Sequence, residues 1–303
     1  MGSRFVLGAL LLCACNAHLG DTPSDASGKP PDAQLGSDAR PADAAIDALP
    51  AWGPPVGVPG ASDSTLNIDD DTLNSRQTEL YFGEVDATLG VKQLWLMTRA
   101  TPADAWGAPA KLDATFNVGG TTPPAEESPR LAPDDKTIYF GRGGDIYYAT
   151  RTAVGQAWST PQPLAEVNTA DYEKWLAVCD NGYYMVSRGT AANGQDLFEG
   201  QLGGGAAVPA TELNSTANEI STFLTSDCKT TYFASNRSGT TTYVYTATRA
   251  DTSSAWTSPA QVTDFGTTEL EDPWLSPDGL VFYFASQRYG GTNTNKGIYC
   301  SAR

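Results

Sequence analysis

Short apolar runs rich in aromatics recur from residue 51 onward, separated by polar stretches rich in Gly, Pro, Asp and Asn. One set reads Leu80-Tyr81-Phe82-Gly83, Ile138-Tyr139-Phe140-Gly141, Tyr184-Met185-Val186-Ser187, Thr231-Tyr232-Phe233-Ala234-Ser235 and Phe282-Tyr283-Phe284-Ala285-Ser286. A second set follows at each repeat: Leu94 to Arg99, Ile146 to Arg151, Leu197 to Gly200, Val244 to Arg249 and Ile298 to Arg303. Aromatic and β-branched residues in short runs between turn formers predict strands. A third element pairs Trp with a nearby Pro: Trp52-Gly53-Pro54, Trp106 to Pro109, Trp158 to Pro161 and Trp256 to Pro259, reduced to Val208-Pro209 in the third repeat. Proline lacks the N–H that a central strand must donate, so this element is expected at the outer edge of each sheet. A fourth precedes the first: Glu127 to Asp134 and Glu271 to Gly279, with weaker copies at Asp69 to Leu73, Glu173 to Ala177 and Glu219 to Leu224. Asp-Asp or Asp-Gly after these runs is hairpin chemistry, because those residues tolerate left-handed backbone angles.

A repeat of roughly 50 residues made of several short strands predicts a radial all-β architecture, a β-propeller. The chain enters on an outer element at Trp52 and leaves after a third element at Arg303. The N-terminal strand is therefore expected to complete the last blade, closing the ring and removing open sheet edges. Five four-stranded blades follow from this count. Six blades would require a further repeat that the sequence does not display.

Ser276-Pro277-Asp278-Gly279 followed by Phe282-Tyr283-Phe284-Ala285-Ser286-Gln287-Arg288 resembles the WD-like repeat of TolB-type β-propellers. Leu131-Ala132-Pro133-Asp134-Asp135-Lys136-Thr137-Ile138-Tyr139-Phe140 is a second copy. The resemblance covers residues 51–303 and is strongest in repeats two, four and five. It implies a propeller that serves as a binding scaffold, an envelope partner or a peptidase appendage. TolB itself is usually six-bladed with an extra N-terminal domain. This chain departs from both features, so TolB's own partner is not carried over.

Acidic residues outnumber basic ones, 35 to 19, for a net charge of −16. That balance argues against nucleic acid or an anionic membrane surface as a partner. Arg4 and the short apolar stretch Phe5 to Leu12 read as a targeting segment, too short to span a bilayer. Leu12-Cys13-Ala14-Cys15 resembles a bacterial lipobox, with residues 1–14 as the signal peptide and Cys15 as the lipid-attachment residue. The alternative is ordinary secretion with Cys15 unmodified. Residues up to 50 are rich in Ala, Asp, Pro, Gly and Ser and form a tether with too little apolar surface to fold, able to reach on the order of 100 Å. The expected location is the bacterial envelope, at the outer membrane on its periplasmic or surface face, with membrane contact through the lipid only.

Cys179 and Cys228 fall near equivalent turns of neighbouring repeats, where an exported protein can hold a disulfide, although spacing alone does not decide it. Cys300 lies in an aromatic strand and reads as a buried free thiol. Asp69, Glu127, Glu173, Glu219 and Glu271 stand at or near the starts of the inner strands. They either converge as an acidic ring at one mouth of the central channel or pair with the recurrent Arg142, Arg188, Arg237 and Arg288. Asn67-Ile68-Asp69-Asp70-Asp71 is a weak match to a calcium loop, lacking its Gly and its closing Glu. The one histidine, His18, lies in the tether, which removes histidine triads and His-based zinc sites from the folded part. No metal site or cofactor is otherwise expected. The resulting expectation is a monomeric, non-enzymatic scaffold for an envelope protein or glycan. Alternatives are a propeller glycosidase using Glu127, Glu173 and Glu271, and a structural envelope spacer.

Overall fold

The computed structural model describes residues 50–62, 67–190, 194–287 and 295–303. Residues 1–49, where the targeting segment and most of the tether were expected, lie outside the described residues, Cys15 and His18 among them, as does Arg288. The first strand, β1 (Val56–Gly57), is followed by blade one: β2 (Ile68–Leu73), β3 (Glu79–Val85), β4 (Lys92–Thr98) and β5 (Ala110–Lys111). Blade two holds β6 (Glu126–Leu131), β7 (Thr137–Arg142), β8 (Asp145–Thr150) and β9 (Gln162–Pro163). Blade three holds β10 (Tyr172–Val178), β11 (Tyr183–Thr190), β12 (Gly194–Gln201) and β13 (Val208–Pro209). Blade four holds β14 (Glu219–Leu224), β15 (Thr230–Ser235), β16 (Tyr243–Thr248) and β17 (Ala260–Gln261). Blade five holds β18 (Glu271–Leu275), β19 (Val281–Ser286) and β20 (Gly297–Ala302).

Every blade is an antiparallel four-stranded sheet, and β1 pairs with β20 to complete blade five. Val56 faces Cys300 across that closure. The fold is therefore a five-bladed β-propeller with the closure read from the sequence. The outer strands are shorter than the Trp-to-Pro segments suggested. Each is two residues long and begins just after the proline, except in blade three, where Pro209 is in the strand.

Two repeated devices hold the blades. Arg99, Arg151, Arg249 and Arg303 lie over Trp106, Trp158, Trp256 and Trp52, with guanidinium carbons 4.0 to 4.2 Å from the ring centres. Each Arg Nε donates to a carbonyl of the inner hairpin of its own blade, at Gln77, Asp135, Cys228 and Gly279. A planar guanidinium can stack and donate at once, which lysine cannot. The second device is an asparagine bracket. Asn117, Asn168 and Asn214 each accept from the N–H and donate to the C=O of one third-strand residue, Leu94, Ile146 and Leu197.

Cys179 and Cys228 form a disulfide with sulfurs 2.07 Å apart, joining the inner hairpins of blades three and four. Cys300 is buried and disulfide-bonded as well, so the free thiol read from the sequence is corrected.

Candidate functional site: the two mouths of the channel

A left-handed residue interrupts each inner strand: Asp70, Ser128, Trp175, Ser221 and Asp272 have φ between 49° and 59°. The pairing of each inner strand with its neighbour shifts at this residue. It is a β-bulge, which bends the strand and re-aims the side chains around it. These five bulges set the true alignment of the blades. Asp69, Glu127, Lys174, Ile220 and Glu271 stand at one level immediately before the bulge. Glu173 and Glu219 stand one residue earlier, at the level of Glu126. Side chains alternate across a strand, so one residue of offset sends them to the other side.

The five acids read from the sequence therefore do not form one ring. Glu173 pairs with Arg188 Nε at 2.8 Å and Glu219 with Arg237 Nη2 at 3.0 Å, while Glu126, which the sequence reading passed over, pairs with Arg142 Nε at 2.8 Å. Those arginines also donate to the backbone carbonyls of Phe116, Val167 and Leu213, binding each blade to its preceding connection. Asp69, Glu127 and Glu271 do share a level, and lysines neutralise them. Lys92 Nζ lies 2.6 Å from both Asp69 and Asp70. Lys174 Nζ lies 2.7 Å from Glu127, whose other oxygen accepts from the Tyr172 hydroxyl. Lys296 bonds Glu271 and approaches Glu269 at 3.6 Å. Asn67 to Asp71 is not a ligand loop: residues 68–71 form the inner strand of blade one, with Lys92 between two of its acids. Among the described residues no group of three His, Cys, Asp or Glu side chains is arranged to hold a metal ion.

Inside this mouth the adjacent Asp69 and Asp70 titrate on opposite sides of the ordinary carboxylate value. Burial pushes Asp69 up to about 7, outweighing Lys92 and helped by repulsion from Asp70 and Asp272. Burial also acts against ionised Asp70, but the charges of Lys92 and Lys174, with hydrogen bonds from Lys92 and Trp175, hold it well below the usual range. Trp175 Nε1 donates to Asp70 Oδ1 at 2.8 Å. Asp272 is pushed up to about 6 by burial and by Asp70.

Deeper still, Asp71 is fully buried, and neither of its carboxylate oxygens accepts a hydrogen bond from another of the described residues. Burial and Asp272 push its pKa well above the carboxylate range, against the pull of Arg130. The native protein thus keeps a proton on Asp71 at pH values where the unfolded chain has lost it. Stability contributed this way is unaffected below the unfolded value and falls as pH rises toward the folded one. Asp71→Asn is expected to raise stability near about pH 8 by at least about 1.4 kcal/mol, the worth of one pKa unit, because an amide fills the site without having to take up a proton. Its advantage should shrink as pH falls toward about pH 4. Denaturant midpoints across that range check this; a variant less stable than wild type near pH 8 would show Asp71 to be a paired, ionised group.

Arg130 plugs the channel below Asp71. From blade two its Nη1 donates to the Asp71 carbonyl in blade one, its Nε to the Thr222 carbonyl in blade four at 3.1 Å, and its Nη2 lies 3.6 Å from Asp272 in blade five. Beyond this plug the channel opens at the hairpin end into a funnel of about 490 Å³. Leu73, Leu131, Phe223, Leu224, Trp274 and Leu275 form its apolar wall. Asp135, Asp180, Asp227 and Asp278 stand on the hairpin turns lining it. Three of these are committed to turn hydrogen bonds: Asp135 accepts from Ser75, Asp227 from Thr225 and Lys229, and Asp278 from Ser276 and Leu280. No feature of the sequence reading pointed to this funnel. Its signal was the large apolar residue two places after the bulge in repeats four and five, Phe223 and Trp274.

No protein-family model matches the sequence, and comparison with curated proteins returns no match. Solved structures do resemble the fold. A TolB-designated protein from Agrobacterium tumefaciens matches with a TM-score of 0.52 and 13% identity, over 81% of this chain and 82% of that one. The endo-arabinase from Bacteroides thetaiotaomicron matches with a TM-score of 0.55 and 8% identity, over 80% and 96%. The α-L-arabinofuranosidase from Podospora anserina, solved with cellotriose, matches with a TM-score of 0.53 and 14% identity, over 83% and 96%. At these identities the likeness is one of fold.

Proposed function

We propose that this chain is a non-enzymatic recognition domain whose funnel at the hairpin end holds an apolar side chain of a protein partner, flanked by basic residues. One observation carries the reading. The open cavity has apolar walls and turn-bound acids, whereas the acids of the opposite mouth are buried in ion pairs with Lys92, Lys174 and Lys296. An apolar wall with a few placed polar groups is the usual form of a binding site. The net charge of −16 and the aspartates around the funnel favour a basic flank and suppress acidic partners. A disulfide between Cys179 and Cys228 suits an oxidising compartment. That supports export and, with the Leu12-Cys13-Ala14-Cys15 segment, a lipid-anchored envelope location through Cys15.

A second reading is hydrolysis of a glycoside at the strand-start mouth. It is favoured by the divergent titration of Asp69 and Asp70, since neighbouring carboxyls set apart in this way are how one site holds an acid and a base. The test is a peptide-display selection on the purified protein, run beside incubation with arabinan and xylan oligosaccharides. Enrichment of apolar segments with Lys or Arg flanks is expected, together with loss of binding in Ser226→Trp. Ser226 is exposed at the funnel rim, so a Trp there fills the opening without removing a core contact. New reducing ends from a glycan, lost in Asp70→Asn, would replace this reading with the second.

A further inference from the structure

A second cavity, of about 240 Å³, opens between blades three and four at the strand-start end. It is lined by Gln195, Asn218, Ile220, Asn236 and Thr242. Its polar wall is fixed by the backbone. Gln195 N–H donates to Asn218 Oδ1 at 2.9 Å, and Asn218 N–H donates to Asn236 Oδ1 at 3.0 Å. Both carboxamides thus have their carbonyl ends held, which leaves their NH2 groups as donors. The close approach needs Gly194, at φ 83°, because a Cβ there would lie 2.2 Å from Asn218 Oδ1. The carboxamide of Gln195 and the hydroxyl of Thr242 have no hydrogen-bond partner among the described residues. Glu219 and Arg237, each adjacent in sequence to a lining residue, neutralise one another at 3.0 Å.

We propose that this cavity is a subsite for a single neutral sugar unit. The lining offers carboxamide donors and acceptors, a hydroxyl and one apolar face on Ile220. A pyranose or furanose ring carries the matching set: hydroxyls that both donate and accept, and C–H faces that pack on an aliphatic side chain. The volume falls below that of a typical drug-sized pocket, which suits one ring and not an extended chain. A peptide would need a free strand edge or a groove, and these five residues sit at strand ends and in loops. A charged ligand would find no counter-charge in the lining. This site lies at the opposite end of the propeller from the funnel, so it stands or falls independently of the partner reading.

The experiment is saturation-transfer NMR on the full-length protein with arabinose, galactose and N-acetylglucosamine, beside glucuronate and N-acetyl-tetraalanine. At least one neutral sugar is expected to bind saturably, with no signal from glucuronate or the peptide. Gln195→Leu combined with Thr242→Val keeps shape and removes only unpartnered polar groups. This double variant should bind about tenfold more weakly at unchanged melting temperature, as expected for the loss of one or two neutral hydrogen bonds. Ser226→Trp should leave sugar binding intact. The proposal is overturned if no neutral sugar binds, if glucuronate or the peptide binds as well, or if the double variant binds undiminished.

Discussion

Arg130→Met is expected to destabilise the propeller by about 3–5 kcal/mol, the range for removing one partner from a buried charge pair. Arg130 is buried and touches three other blades, through Asp71, Thr222 and Asp272. Methionine fills comparable space, so the loss reports charge and hydrogen bonding more than a cavity. It leaves the buried Asp272 carboxylate without its nearest cation and strands two backbone carbonyls. The affected residues lie on the axis where the blades meet, so urea unfolding should remain a single transition with a lower midpoint. A loss below about 1 kcal/mol would mean that ordered water serves these groups as well as the guanidinium does.

The blade count was legible because each blade repeats one physical solution. Strand runs such as Ile138 to Gly141 and Phe282 to Ser286 carry the same aromatic pattern, and closure by Val56 on Cys300 followed from the order of elements alone. The recurrent Arg and Trp were visible as a pattern, but their stacking was not, because they are separated in sequence and meet only through the short outer strand. The third repeat lacks both residues. There Leu202 and Ala207 pack with Tyr139 and Tyr148, so the seam between blades two and three is held by apolar contact in place of cation–π pairs.

The charged mouth was harder to read. The bulge fixes the register of each inner strand, but it falls on a residue whose left-handed angle no propensity announces at Trp175, so acids one residue apart could be matched as equivalents. Glu173 and Glu219 then looked like ring members, whereas Lys174 and Ile220 hold those positions. The lysines that neutralise the mouth come from elsewhere in the blade: Lys92 opens the third strand of blade one, and Lys296 directly precedes that of blade five. Pairing them with acids more than 20 residues away requires the fold. Arg130 carried a signal that position alone supplies. Its counterparts in the other inner strands are Thr72, Ala177, Phe223 and Trp274, none of them charged. A lone charge among such residues marks either an error of register or a buried partner, and here it is the latter.

Replacing Cys179 and Cys228 together by Ser is expected to cost about 4 kcal/mol, the chain-entropy value for closing a loop of about 50 residues. The bond spans a sequence separation of 49. Most of that cost arises in the unfolded chain, which the bond keeps compact, so folded contacts should change little. The same two hairpins are also joined by Asp180 N–H donating to the Ser226 carbonyl at 3.0 Å. Asp180, Ser226 and Asp227 line the funnel, so the disulfide fixes one side of the proposed partner site. Two consequences separate the effect from general unfolding. The double serine variant should show a lower denaturant midpoint with a steeper dependence on denaturant, because its unfolded state exposes more surface. At temperatures where it remains folded, a partner segment should bind it more weakly, while sugar binding at the far end is unchanged. Equal stability of the oxidised protein and the variant would mean that the cross-link adds no constraint beyond that of the hairpin hydrogen bond, and the funnel would then owe its shape to the apolar wall alone.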